Sequence, residues 1–113
     1  MAFRFTHLGT VARVQVNALV PKIVGRDGIT IGRTIYLAGG QSTITGYLLA
    51  HEFAHVLQWK RKGWLGFLWE YVAGLLEHGY NVEAHPMEAE AHRYGLAFGS
   101  SFEAWARSMR GGA

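Results

Sequence analysis

Apolar and polar positions change rhythm once along the chain. Between residues 11 and 41 the rhythm has period two, in a stretch rich in Val, Ile, Thr and Gly. Val11-Ala12-Arg13-Val14-Gln15-Val16 alternates as a half-buried strand does, because successive strand side chains point to opposite faces. Ile29-Thr30-Ile31-Gly32-Arg33-Thr34-Ile35-Tyr36-Leu37 predicts one or two further strands with a bend at Gly32-Arg33. Asp27-Gly28 is a turn signal that suits a type I′ hairpin. Between residues 43 and 108 the rhythm lengthens and Ala, Leu, Glu, His and aromatics take over.

In this second stretch Leu48, Leu49, Phe53, Val56 and Leu57 recur at helical spacing. They predict a helix capped by Ser42, Thr43 or Thr45, running to about Lys62 and stopped by Gly63. A second helix covers about Leu65 to Glu77 and ends near Gly79. A third starts with Pro86 at its first position and runs to about Phe98. Gly99-Ser100-Ser101 is expected to break it or restart it into a final turn ending near Met109. A small N-terminal antiparallel β region followed by about three helices gives an α+β class.

The length, 113 residues, fits one domain spanning residues 1–113. Half the residues are hydrophobic and 17% are charged, which argues against a disordered chain. The chain has no cysteine, so disulfide scaffolds, thiolate zinc sites, iron–sulfur clusters and thiol nucleophiles are excluded. A net charge of +3 is too mild for a nucleic-acid-binding tail, so no nucleic-acid partner is expected. The first twenty residues read as no signal peptide. Glu70 interrupts the longest apolar stretch, Trp64 to Leu76, which is too short to span a bilayer. A soluble, cytoplasmic protein without stable membrane insertion is the expectation.

The chemistry concentrates at His51-Glu52-Phe53-Ala54-His55, an HExxH sequence inside the first helix. Residues four apart lie on one helix face, so both imidazoles can meet one zinc ion at about 2.0–2.1 Å. Glu52 stands beside them as a carboxylate able to take a proton from an activated water during attack on a carbonyl. The same spacing also arises for two histidines on a helix surface. A catalytic zinc takes a third protein ligand and keeps one position open. The source is His85-Pro86-Met87-Glu88-Ala89-Glu90-Ala91-His92, where Glu88 and Glu90 point in different directions. Acids in a first turn also favour the helix dipole without any metal.

HExxH followed by a glutamate on a later helix resembles the gluzincin metallopeptidases. In that clan the later helix often reads Glu-x-x-x-Asp, with the glutamate on zinc and the aspartate orienting a ligand histidine. The resemblance implies Glu88 as the ligand with His51 and His55. It sets His92 in the aspartate's place, where no anion is available. The stretch 27–95, with its strand hairpin, Leu48-Leu49-Ala50-His51-Glu52-Phe53-Ala54-His55-Val56-Leu57-Gln58 and an acidic helix, is similar to a small bacterial domain found near contractile injection systems and toxins. The resemblance implies a minimal zincin-like core that hydrolyses a peptide or protein substrate. It also implies an edge strand above the active helix, for which Thr34 to Leu37 is the candidate.

Tyr80, His78, His92 and Tyr94 are candidates for stabilising an oxyanion. Trp59-Lys60-Arg61-Lys62 with Trp64 is a basic, aromatic run at a helix end. It reads either as a dipole-favoured terminus or as a surface for nucleic acid or membrane. The helix from Trp64 to Leu76 is apolar on most sides and reads as core or as a surface for a protein partner. The alternative to a peptidase is a catalytically quiet zinc-binding module serving interaction or assembly. A third possibility is a basic surface binder carrying HExxH by accident.

Overall fold

The computed structural model describes residues 2–79 and 84–111. Strands β1 (Ala2–His7) and β2 (Thr10–Gln15) form an antiparallel hairpin, as do β3 (Gly28–Ile31) and β4 (Thr34–Leu37). The two hairpins join through a parallel β2–β4 pair, so the sheet is mixed, with order β1-β2-β4-β3. The expected antiparallel pairing thus holds within each hairpin and not between them. Between β2 and β3 lies a short helix α1 (Leu19–Ile23) that the apolar pattern did not suggest. The alternation of Phe3, Phe5 and His7 also went unread as a strand, although only Phe5 of β1 is fully buried.

The turns differ from expectation too. The positive φ pair belongs to Leu8 and Gly9, closing β1 onto β2, as a type I′ turn requires. Gly32, also at positive φ, turns β3 into β4. Asp27-Gly28 makes no turn. The Asp27 carbonyl accepts the Ala38 amide at 2.9 Å and begins the ladder of the second hairpin.

Helix α2 (Gly46–His78) starts at Thr45, whose hydroxyl accepts the Leu48 amide at 3.1 Å. Gly63 interrupts it with φ 73° and ψ 174°, leaving two helical arms. The first arm buries His51, Glu52, Phe53, Ala54, His55, Val56 and Gln58. Phe53 and Leu49 pack on Phe5, Val14, Ile35 and Leu37 of the sheet, and Phe102 of α3 (Pro86–Met109) closes the core. Burying aromatic rings such as Phe53 and Phe102 stabilises by about 1.5–3 kcal/mol each.

Helix α3 is continuous where a break at Gly99 was expected. The glycine serves a helix crossing instead. A Cβ on Gly46 would lie 2.1 Å from the Gly99 carbonyl oxygen, so the two helices touch backbone to backbone. That contact sets the start of α3 beside the buried face of the first arm. The second arm buries only Phe67 and Gly74 and exposes Leu65, Trp69 and Leu76, so of the two readings, core or surface, it is mostly surface. Among the described residues no helix is long and apolar enough to cross a membrane.

Candidate metal centre

His51 and His55 project from one face of α2, and Glu88 meets them from the first turn of α3. Glu88 Oε1 lies 3.2 Å from Nε2 of both histidines. All three groups are buried, and their ligand atoms fall within 4.8 Å of one another. Atoms around a tetrahedral zinc at about 2.0–2.1 Å stand roughly 3.3 Å apart. The observed spacing therefore fits a zinc ion between the three groups with little rearrangement. Glu90 is turned away, bound by Gln58 at 2.8 Å and Arg61 at 3.0 Å.

The outer hydrogen bonds assign the tautomer of His55. Gln58 donates its amide to the Met87 carbonyl at 3.0 Å and to Glu90, so its Oε1 is the atom facing His55 Nδ1 at 2.7 Å. Nδ1 must then carry the proton, which leaves the Nε2 lone pair for a metal. Glu88 Oε2 is held by the Arg26 guanidinium at 3.0 Å and by a short hydrogen bond from the Tyr71 hydroxyl. His85 supports both partners. Its Nδ1 accepts the Met87 amide at the start of α3, and its Nε2–H donates to the Tyr71 carbonyl at 3.0 Å. A Cβ on Gly74 would strike that ring at 2.5 Å, so the second arm can approach only through a glycine.

Glu52 is 3% exposed and touches β3. The Thr30 hydroxyl donates to its Oε1 at 2.9 Å, while Oε2 faces His51 Nε2 at 3.9 Å. One oxygen is thus anchored and the other turned to the centre. The neighbouring strand is β3, the sheet edge, and not β4, which lies between β2 and β3. The expectation that Thr34 to Leu37 forms the edge is therefore corrected. The two hairpins associate through β4, which leaves β3 outermost. The Trp59 indole takes the Thr30 carbonyl at 2.9 Å.

Two clefts flank Glu52. One of about 230 Å³ is walled by Val24, Ile29, Trp59, Phe67, Leu68 and Tyr71 and reaches Glu52, His55 and Glu88. Trp59 and Phe67 stack at 3.8 Å, and Phe67 and Tyr71 lie nearly parallel. The other cleft, about 340 Å³, is more polar, with Arg26, Asp27, Tyr47, His51 and Glu52.

Sequence reasoning missed Arg26, Tyr47 and Tyr71. Of the four oxyanion candidates, Tyr80 lies outside the described residues. His78 sits at the end of α2 against Glu77, and Tyr94 packs on Phe98. Among the described residues His92 reaches the centre through Tyr47. The basic run is occupied within the chain. Lys60 reaches the Thr10 hydroxyl, Arg61 reaches Glu90, and Lys62 reaches Glu70.

Burial disfavours charge on both His55 and Glu88, yet their contacts outweigh it. Hydrogen bonds from His51, His55 and Tyr71 hold Glu88 far below the usual carboxylate range. Glu88, Glu52 and Gln58 raise His55 above the ordinary imidazole value of 6.5. In metal-free protein the His55 contribution to stability is present below about pH 6.5 and lost as pH rises through the raised value. The Glu88 contribution is present above about pH 4.5 and lost as pH falls through the lowered value. Urea midpoints in the presence of a chelator should therefore peak in mildly acidic solution and fall toward pH 9. Saturating zinc, which competes with the His55 proton, should remove or reverse that fall. A chelated protein whose midpoint rises from pH 6 to 9 would contradict this coupling.

A family model described as the eCIS core domain matches residues 9–63. The match supports the link to contractile injection systems. It begins in the β1–β2 turn, includes His51, Glu52 and His55, and ends at the break in α2, before Glu88 and α3. No curated protein and no solved structure matches the chain.

Proposed function

We propose that this protein is a zinc-dependent, metallopeptidase-like hydrolase of peptide bonds. The observation that carries the reading is the convergence of His51 Nε2, His55 Nε2 and Glu88 Oε1 beside a buried Glu52 with one oxygen turned toward them. Three nitrogen and oxygen ligands leave a fourth position open, which is the catalytic arrangement. Zinc supplies Lewis acidity that brings the pKa of a water to about 7.

The chain's own residues then divide the work. Glu52 takes the proton of the attacking water at Oε2 and delivers it to the amide nitrogen as the C–N bond breaks. Thr30 holds Oε1 so that the carboxylate keeps its aim. Gln58 fixes the tautomer of His55, and Arg26 with Tyr71 fixes the rotamer of Glu88. An extended substrate lies along the outer edge of β3 and sets an apolar side chain in the cleft walled by Trp59, Phe67 and Leu68.

The test uses the full chain. Metal analysis is expected to find one zinc per molecule, and mass spectrometry of a mixed peptide library should show cleavage beside apolar residues that a chelator abolishes. Protein that takes up no zinc rejects the reading. A second reading is favoured by one observation. Leu65, Trp69 and Leu76 are 78–85% exposed on the second arm, as a docking helix for another protein would be. In that reading the zinc site braces an assembly module in an injection system. Full zinc occupancy with no cleavage anywhere in the library selects it.

A further inference from the structure

We propose that Tyr47 and His92 together hold the His51 ring in its metal-binding tautomer, as a two-residue hydrogen-bond relay reaching from α2 to α3. The inference rests on the zinc reading above and concerns how the chain makes His51 a ligand. Tyr47 stands one turn before His51, so its side chain shares the same helix face. Its hydroxyl lies 3.3 Å from His51 Nδ1 and 2.6 Å from His92 Nδ1. A phenol has one proton to give, and a metal on His51 Nε2 requires the ring's own proton on Nδ1, so the phenol's proton goes to His92. The Tyr47 oxygen donates to His92 and therefore accepts from His51 Nδ1–H. The opposite assignment, with Nε2–H given to Glu88 Oε1 at 3.2 Å, is the one a metal at that position displaces.

The arrangement parallels His55, whose Nδ1–H is accepted by the amide oxygen of Gln58. Each imidazole thus has one dedicated acceptor behind it. A neutral phenol is the weaker of the two, and donation to His92 compensates by polarising the O–H bond and enriching the oxygen. The relay is held by shape as well. A Cβ on Gly95 would lie 2.6 Å from Tyr47 Cε1 and 2.8 Å from Cδ1, so the ring fills the space left by that glycine. The neighbouring Gly99 backs onto the Tyr47 backbone, where its own Cβ would sit 3.2 Å from the Tyr47 Cα. The helix crossing therefore seats the relay.

The test measures zinc dissociation constants by competition with a chromophoric chelator, alongside thermal midpoints of the metal-free proteins. Tyr47→Phe keeps the ring on Gly95 and removes the hydroxyl. It should weaken zinc binding by about 10–100-fold with little change in the metal-free midpoint. His92→Phe should weaken it in the same direction. The double variant should bind no worse than Tyr47→Phe alone, because His92 acts only through the hydroxyl. His92→Asn, whose Oδ1 can stand where Nδ1 stood, should restore near wild-type affinity. Equal affinity in wild type and Tyr47→Phe, or fully additive losses in the double variant, would overturn the relay while leaving the zinc site intact. Absence of zinc binding in the wild type would overturn the metal reading and the relay with it.

Discussion

Replacing Glu52 with glutamine is expected to leave zinc bound and to slow peptide hydrolysis by about 10²–10⁴-fold, the usual worth of a positioned general base. The substitution keeps shape and removes only the capacity to take a proton. The glutamine oxygen can still accept the Thr30 hydroxyl, which reaches Glu52 Oε1 at 2.9 Å, so the side chain stays aimed. None of the three ligand atoms belongs to Glu52, so metal content should match wild type. The backbone contact from Thr30 to the residue 52 carbonyl is untouched, and what changes is the group that Oε2 presents to His51 Nε2 at 3.9 Å. Metal content by mass spectrometry and initial rates on one cleaved peptide check both halves. Undiminished turnover at full zinc would assign the proton transfer elsewhere and remove Glu52 from the mechanism.

Much of this centre is written locally in the chain. His51, Glu52 and His55 need only a helix through residues 47–62 to come together, and that glycine-free and proline-free stretch before Gly63 supplies it. Glu88 is nearly as legible, because Pro86 marks the first turn of α3. What the sequence hides is whatever depends on pairing between distant segments. The parallel contact of β2 with β4 makes β3 the edge, and no local pattern in either strand encodes that choice. Arg26 and Tyr71 hold Glu88 from 62 and 17 residues away, and nothing around either one marks it as a partner of a carboxylate. Tyr47 was within reach of sequence reasoning, since it precedes His51 by one helical turn. Gly99 misled for a physical reason. Glycine weakens an isolated helix, yet at a crossing the missing Cβ is what lets two backbones touch.

Glu88→Ala should lower zinc affinity by more than about 100-fold, beyond what loss of one outer hydrogen bond costs. Two imidazoles remain, and two ligands on one helix face hold zinc weakly without an anionic third. Glu90 cannot take over. Its carboxylate is committed to Gln58 and Arg61, and turning it inward would cost those contacts and release the Gln58 that orients His55. Glu90→Ala is therefore the informative partner variant, expected to keep most of the affinity. The metal-free proteins should differ as well. Glu88 foremost opposes the burial that depresses the His55 pKa, so its loss should bring that pKa down. With the folded value moved toward the unfolded one, the decline in chelated stability between pH 6 and 9 should flatten. Chelator competition and urea titration at three pH values read the two consequences separately. If Glu90→Ala abolished zinc binding while Glu88→Ala kept it, the third ligand would be misassigned, and the orientation of the first turn of α3 would have to be rebuilt around Glu90.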